Sequence, residues 1–367
     1  MSLEHLALAK TNDFSLKHEG DVHSGKVRSV YWLTKKDSKR IIEQKQYTIS
    51  PESLLGVMII SDKISAFECN WQGEDGLQGV PGKGASLNAV SKYWFKKFDE
   101  AGLAGNHVLD SPHPLVWIVQ KAKPIMIEAI ARQYITGSMW RAYEKGKREF
   151  CGIILPEGLK KNQKLGKLLI TPSTKGILKG ISGVPEDDDV NITRQQILDN
   201  FQAFGFKSPE GVPQYEKFLI EGFKVASSEL QGKGLILVDE KKEFGYVKDV
   251  RGNSKMIYID EPPTPDSARI WNAESYKKGE IIEKSKEGFR KFLLEESGLD
   301  KEILLNKERM SERKKLATEY RVPVKEMMKV SQTYKDIVET ITGSPIPEIK
   351  DARGEILDAL SGYKIVV

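Results

Sequence analysis

LVDEKKEFGYV, residues 237–247, is bounded by Leu237, Val238, Phe244 and Val247 as a buried strand would be, yet it carries Asp239, Lys241 and Glu243. Side chains alternate between faces along a strand, so these three charged groups form one row on one face. The connector DVRGNSK holds the turn signal Gly252-Asn253 and leads into MIYIDE, residues 256–261, which predicts an antiparallel hairpin. A turn centred between Arg251 and Gly252 sets Glu243 opposite Asp260; a turn centred between Gly252 and Asn253 makes the two diagonal neighbours. Either register puts both carboxylates on one face. Two like charges so placed repel unless a cation lies between them, and carboxylate oxygens with room for water are what Mg²⁺ selects when it carries nucleotide phosphates. Lys241 then stands beside the same phosphates. A solvent-facing hairpin with a Lys–Glu ladder is the competing reading of this stretch taken alone.

The rest of the chain narrows the choice. Its 367 residues allow two lobes around a cleft, and 30% charged with 39% apolar residues is the balance of a globular protein. The 57 basic and 52 acidic residues leave a formal +5, with Lys scattered through both halves, which argues against nucleic acid as a partner. Small anions are still compatible with local basic clusters. Cys69 and Cys151 lack zinc-site spacing and cannot form a disulfide framework. No apolar run approaches membrane-span length, and MSLEHLALAKTNDFSLK lacks a signal-peptide core, so a cytoplasmic protein without membrane contact is expected.

Hydrophobic spacing predicts strands at KVRSVYWL, residues 26–33, and LLGVMIISD, residues 54–62, the beginnings of a β-rich N-terminal lobe. Leu87, Val90, Trp94, Phe95 and Phe98 mark the apolar stripe of a helix after Gly84. VWIVQKAKPIMIEAIA, residues 116–131, reads as two strands interrupted at Lys121–Pro124. A capping box at Thr193 and Gln196 starts one helix, and Pro213 starts another that stops near Gly232. Further helical spacing occurs at Phe289, Phe292 and Leu293, and again between Pro323 and Gly343. The expected division is 1–122 as the β-rich lobe, 123–343 as the lobe with the substrate and metal sites, and 344–367 as a C-terminal tail.

Anion sites are suggested at several turns. HSGKVRSVY, residues 23–31, places Gly25 for close backbone approach and sets Lys26 and Arg28 on one strand face, a suitable cover for phosphates. GVPGKGAS, residues 79–86, fails as a Walker A motif on spacing. RQYITGSMWRAY, residues 132–143, runs from strand through Gly137-Ser138 into a helix, so Arg132 and Ser138 make a candidate phosphate clamp; otherwise Ser138 caps the helix. In DEPPTPDSARIW, residues 260–271, Pro262, Pro263 and Pro265 stiffen a loop that holds Asp266, Ser267 and Arg269.

Taken together, GKVRSVY, SDKISAF, GKG before SLNAVSKYWF, EAIARQYITGSMW, TPSTK, VDEKKEFG, DEPPTPDSARIW and VPVKEMMKVSQTYKDIVETITG resemble the SAICAR synthetase family of purine biosynthesis, in order along most of the chain. The resemblance implies an α+β fold of two lobes with an ATP cleft between a β-rich N-terminal lobe and a larger α/β lobe, related to kinase and ATP-grasp architectures. It implies ATP-dependent ligation of L-aspartate to carboxyaminoimidazole ribotide, with Mg²⁺, through an acyl-phosphate-type activation, by a monomer or a homodimer. On this resemblance Glu243 and Asp260 match the family's metal and ATP carboxylates, and Lys26 and Arg28 its phosphate-covering loop. Arg132, Ser138 and Arg269 match positions that hold the ribotide phosphate, with Ser267 and Asp189 also on the substrate side. Asp239, Lys241 and Lys175 are the catalytic candidates, Lys175 as a contact for an acidic substrate.

The chain departs from the family pattern at two places. Glu68 stands where the family has Asp after SDRISAF, and Asp188-Asp189 stands where it has His-Asp before Asn-Ile. The alternatives are a small-molecule kinase using the same kind of cleft and a catalytically silent nucleotide-binding protein.

Overall fold

The computed structural model describes residues 2–367, and its architecture is α+β. Leu235–Lys248, which contains the charged row, is the central strand. At 14 residues it is long enough to serve two sets of neighbours. Its first half lies between Ile127–Tyr134 and Ala268–Asn272, and its second half between Lys123–Pro124 and Ser254–Ile259, all antiparallel. A register shift between Leu237 and Asp239 marks where the charged row begins. The strand is buried over most of its length, with Asp239 5% and Glu243 6% exposed, so the solvent-facing ladder is ruled out.

The hairpin register differs from both registers expected. Glu243 pairs with Ile259 and Lys248 with Ser254, which centres the turn on Arg251. The reason is the Asp249 carboxylate, which accepts the N–H groups of Arg251 and Asn253 at 2.8 Å each and closes a wider turn than Gly252-Asn253 alone would make. Asp260 therefore falls just beyond the paired strand, where its φ of +57° is left-handed.

One face of this sheet is the core. Tyr215, Leu219, Phe223, Ala226 and Leu230 of the Gly211–Gly232 helix pack against Ile127, Ala129, Ala131, Leu237 and Phe244. Glu240 and Lys242 point to the same face and pair there out of solvent. The opposite face carries Asp239, Lys241 and Glu243.

A second antiparallel sheet has the order His23–Ser24, Arg28–Trp32, Leu55–Ile60, Val116–Gln120, Val108–His113. The helix Lys83–Glu100 buries all five residues of its expected stripe. Thr193 forms the expected capping box before Arg194–Asp199, and Gly343 ends Val324–Thr342 with φ +78°. Phe289, Phe292 and Leu293 pack with Ile64, Trp71, Leu77 and Met327. Residues 344–367 hold the helix Ala352–Ser361, whose Ile356 and Leu360 join Tyr363 and Ile365 in a cluster with Tyr31, Leu55 and Ile118. Val366 bridges to Leu16, so the two ends of the chain meet on the second sheet. Among the described residues no helix is long and apolar enough to cross a membrane.

Candidate active site

The charged row is organised by its neighbours across the sheet. Asp239 is the register partner of Arg132 on one side and of Arg269 on the other, so both guanidinium groups reach its carboxylate, at 3.0 and 2.6 Å. Arg132 also donates from Nε to Thr171 Oγ1 at 3.0 Å, and Arg269 approaches Glu287 at 3.4 Å. Burial lowers the Arg132 pKa even with Asp239 beside it, and Arg269 adds to the repulsion. The Nε of Arg269 is buried without a partner. Two guanidinium groups thus share one carboxylate, and one guanidinium donor is left over.

Gly137 makes this approach possible. A Cβ there would stand 2.5 Å from Arg269 Nη2, and its φ of +56° suits glycine. It opens the helix Gly137–Glu144, for which Thr136 rather than Ser138 is the N-cap residue. Ser138 lies one residue inside that helix and is exposed.

Further along the row, Lys241 pairs with Glu128 at 2.7 Å and lies 3.8 Å from Glu243. Lys175, just after the short strand Ser173–Thr174, pairs with Glu243. Asp260 meets Arg28 at 3.0 Å, and Arg28 also grips Glu261 at 2.6 Å. Burial raises the Glu243 pKa, and the nearby Asp260 charge raises it further, although Lys175 and Lys241 oppose both. Asp260 is also buried, but Arg28, Lys241 and Lys175 outweigh that and hold its carboxyl below the usual range. Lys241 is held well above the usual lysine range: burial works against its charge, but Glu128 and Glu243 prevail, so it stays cationic. His107 lies beneath this group with Nε2 3.2 Å from the Asp260 carbonyl oxygen, and burial pushes its pKa down to about 4.

The other expected residues are placed differently. Lys26 is exposed in the turn before Arg28–Trp32 and, among the described residues, forms no ion pair, whereas Arg28 pairs with both Asp260 and Glu261. The Ser267 hydroxyl is taken up inside the proline-rich loop, donating to the Pro262 carbonyl at 2.8 Å and accepting from the Thr264 N–H at 3.0 Å. Asp189 accepts from Ser173 Oγ at 3.0 Å and lies 3.7 Å from Lys307. Asp188, in the place of the family's histidine, accepts the Gly176 N–H at 2.7 Å and so braces the chain next to Lys175. Glu68 is exposed, with φ +64°.

Several charged groups at the site escaped the sequence reading. Glu128 and Glu261 are the partners of Lys241 and Arg28. Lys83, from the rejected GVPGKGAS stretch, is fully buried and pairs at 2.8 Å with Asp266, which also accepts from the Tyr334 hydroxyl and lies 3.5 Å from Lys286. The signal was a lysine at the first turn of an apolar helix, which spacing tests for a phosphate loop discard.

Residues 21–304 match the family model described as SAICAR synthetase. The chain is 60% identical over 361 residues to the phosphoribosylaminoimidazole-succinocarboxamide synthase of Vibrio parahaemolyticus, covering 98% of each chain. It is 58% identical over 367 residues to that of Aliivibrio fischeri strain MJ11, covering 100% of both. Among solved structures, the SAICAR-synthase from Saccharomyces cerevisiae complexed with SAICAR superposes with a TM-score of 0.62 at 25% identity, over 91% of this chain and 100% of that one. A type-2 SAICAR synthetase in complex with ADP gives a TM-score of 0.55 at 20% identity, over 90% and 100% of the two chains, and so supports the fold. With a family match over most of its length and full-length relatives near 60% identity, the chain belongs to the SAICAR synthetase family, ligases of purine biosynthesis.

Proposed function

We propose that this cleft ligates L-aspartate to the carboxylate of carboxyaminoimidazole ribotide at the expense of ATP, giving SAICAR, ADP and phosphate in the cytoplasm. The observation that carries the reading is the single row along one strand, with two guanidinium groups at Asp239 and two carboxylates at Glu243 and Asp260. Residues 239 and 243 are two same-face steps apart, about 13 Å of strand. A ribotide laid along the row has its phosphate at Arg132 and Arg269, with Ser138 beside them, and its carboxylate toward Lys241 and Lys175. The yeast structure holds SAICAR and another relative of this fold holds ADP, which supports a ribotide and a nucleotide as the two neighbours.

A carboxylate is a poor acylating agent, so the reaction needs activation. The γ-phosphoryl group passes from ATP to a carboxylate oxygen, breaking the bond to ADP and forming an acyl phosphate. The aspartate amine then attacks the acyl carbon; the C–N bond forms, the bond to phosphate breaks, and the amine loses a proton. Lys241, kept protonated by Glu128 and Glu243, offsets charge on the phosphoryl oxygens as they move. Arg28 covers the phosphates from the second sheet, with its Nε buried and unpartnered. Lys175, just after the strand Ser173–Thr174, pairs with Glu243 and fits the acidic substrate.

Glu243 and Asp260 suit Mg²⁺, because their mutual repulsion in a buried place is what a divalent cation relieves, and two carboxylates plus phosphate oxygens and water form its usual shell. When bound, the ion neutralises phosphate charge and orients the nucleotide.

The test is ADP release with Mg²⁺-ATP, the ribotide and L-aspartate, omitting each component in turn and identifying the product by mass. Release that needs all components and yields the succinocarboxamide is the expected result. Phosphorylation of the ribotide without any need for aspartate would instead indicate a kinase.

A further inference from the structure

His107 is buried, 5% exposed, and edge-on to Phe95 and Trp117 with ring centroids 6.4 and 6.0 Å away. Its segment is zipped to the end of the hairpin: the Tyr258 N–H donates to the Gly105 carbonyl at 2.9 Å, and the His107 N–H to the Tyr258 carbonyl at 3.1 Å. The ring then reaches the carbonyl two residues further on, with Nε2 3.2 Å from the Asp260 carbonyl oxygen. A carbonyl oxygen only accepts, so Nε2 carries the hydrogen.

That contact falls on the residue whose conformation needs explaining. Glu243 pairs with Ile259, so a strand continued by one residue would turn Asp260 to the opposite face, toward Phe244 and Tyr258 in the core. Instead Asp260 takes a φ of +57°, and its carboxylate meets Arg28 and bears on Glu243. Aspartate visits this region more readily than most residues, but a held left-handed conformation next to a site must be over-determined by its surroundings.

We propose that His107 is a positioning residue for Asp260, its Nε2–H holding the Asp260 carbonyl so that the backbone stays left-handed and the carboxylate stays on the Glu243 face. The inference rests on the reading of Glu243 and Asp260 as the carboxylates for Mg²⁺ and nucleotide. It assigns work to a histidine that contacts the Asp260 backbone and neither carboxylate, because partners behind a ligand fix its direction and their loss commonly lowers metal affinity or activity by about 10–100-fold.

The experiment measures ADP affinity with and without Mg²⁺ by calorimetry, on the native protein and on His107→Phe, which keeps the ring packing and deletes the donor. The native protein should bind ADP more tightly with Mg²⁺. His107→Phe should lose on the order of tenfold or more of that gain, with Mg²⁺-free ADP affinity unchanged, and His107→Gln, which restores an N–H donor, should recover most of it. Retention of the full gain by His107→Phe overturns the proposal. No Mg²⁺-dependent gain in the native protein is a different result, which refutes the metal reading and this inference with it. Nitrogen-15 NMR of the native protein reads the ring directly and needs no variant: Nε2–H is expected, and a neutral ring protonated at Nδ1 would also overturn the proposal.

Discussion

Glu243 and Asp260 illustrate what single residues disclose. The row Asp239, Lys241, Glu243 was legible because period two is fixed by backbone geometry and by nothing else. The way Asp260 joins it was not, because the register depends on how Asp249 closes the turn and the direction of Asp260 on one left-handed φ. Arg28 and Lys26 made equal claims in the sequence; the fold gives Arg28 two carboxylates and leaves Lys26 in solvent. Glu243→Gln and Asp260→Asn are each expected to reduce turnover by about 100-fold or more, the scale of losing a group aimed at transition-state charge. Circular dichroism and melting temperature should stay close to native in both. Near-native turnover in both variants would refute the carboxylate pair as the nucleotide and metal site.

At the scale of elements, the central strand separates two kinds of charge that its sequence does not distinguish. Asp239, Lys241 and Glu243 face the site, while Glu240 and Lys242, interleaved with them, form an ion pair in the core beside Phe98 and Tyr258. Only the helix Gly211–Gly232 reveals this, since it covers that face and brings Gly222 so close that a Cβ would stand 2.7 Å from Lys242 Nζ. Burial raises the Glu240 pKa and lowers that of Lys242, and the charge of each partner opposes the shift of the other. Lys242→Met alone leaves an uncompensated buried carboxylate and is expected to cost about 3–5 kcal/mol. The double variant Glu240→Leu, Lys242→Met should recover most of that loss in urea unfolding. A double variant less stable than the single one would mean that the pair is required for more than mutual neutralisation.

For the whole molecule, the chain's ends were the least legible part. Helical spacing found the segments around Phe289 and between Pro323 and Gly343, but not their partners, because contacts between residues about 250 positions apart leave no local signal. The same holds for residues 344–367, whose Ile356, Leu360 and Ile365 are buried against the second sheet. Burial of each such side chain stabilises by about 1.5–3 kcal/mol, against a typical net stability of roughly 5–15 kcal/mol. Truncation after Gly343 is therefore expected to lower the melting temperature markedly or to prevent soluble folding, and a native-like melt would contradict that role for the segment.

The central claim is that the row on Leu235–Lys248 promotes transfer of the γ-phosphoryl group of ATP to an oxygen of the substrate carboxylate, the oxygen that aspartate then displaces with the phosphate. Oxygen-18 in that carboxylate follows the claim directly. In the complete mixture with Mg²⁺-ATP and L-aspartate, the released phosphate should carry one labelled oxygen and the succinocarboxamide should keep the other. Unlabelled phosphate released together with product would contradict the account.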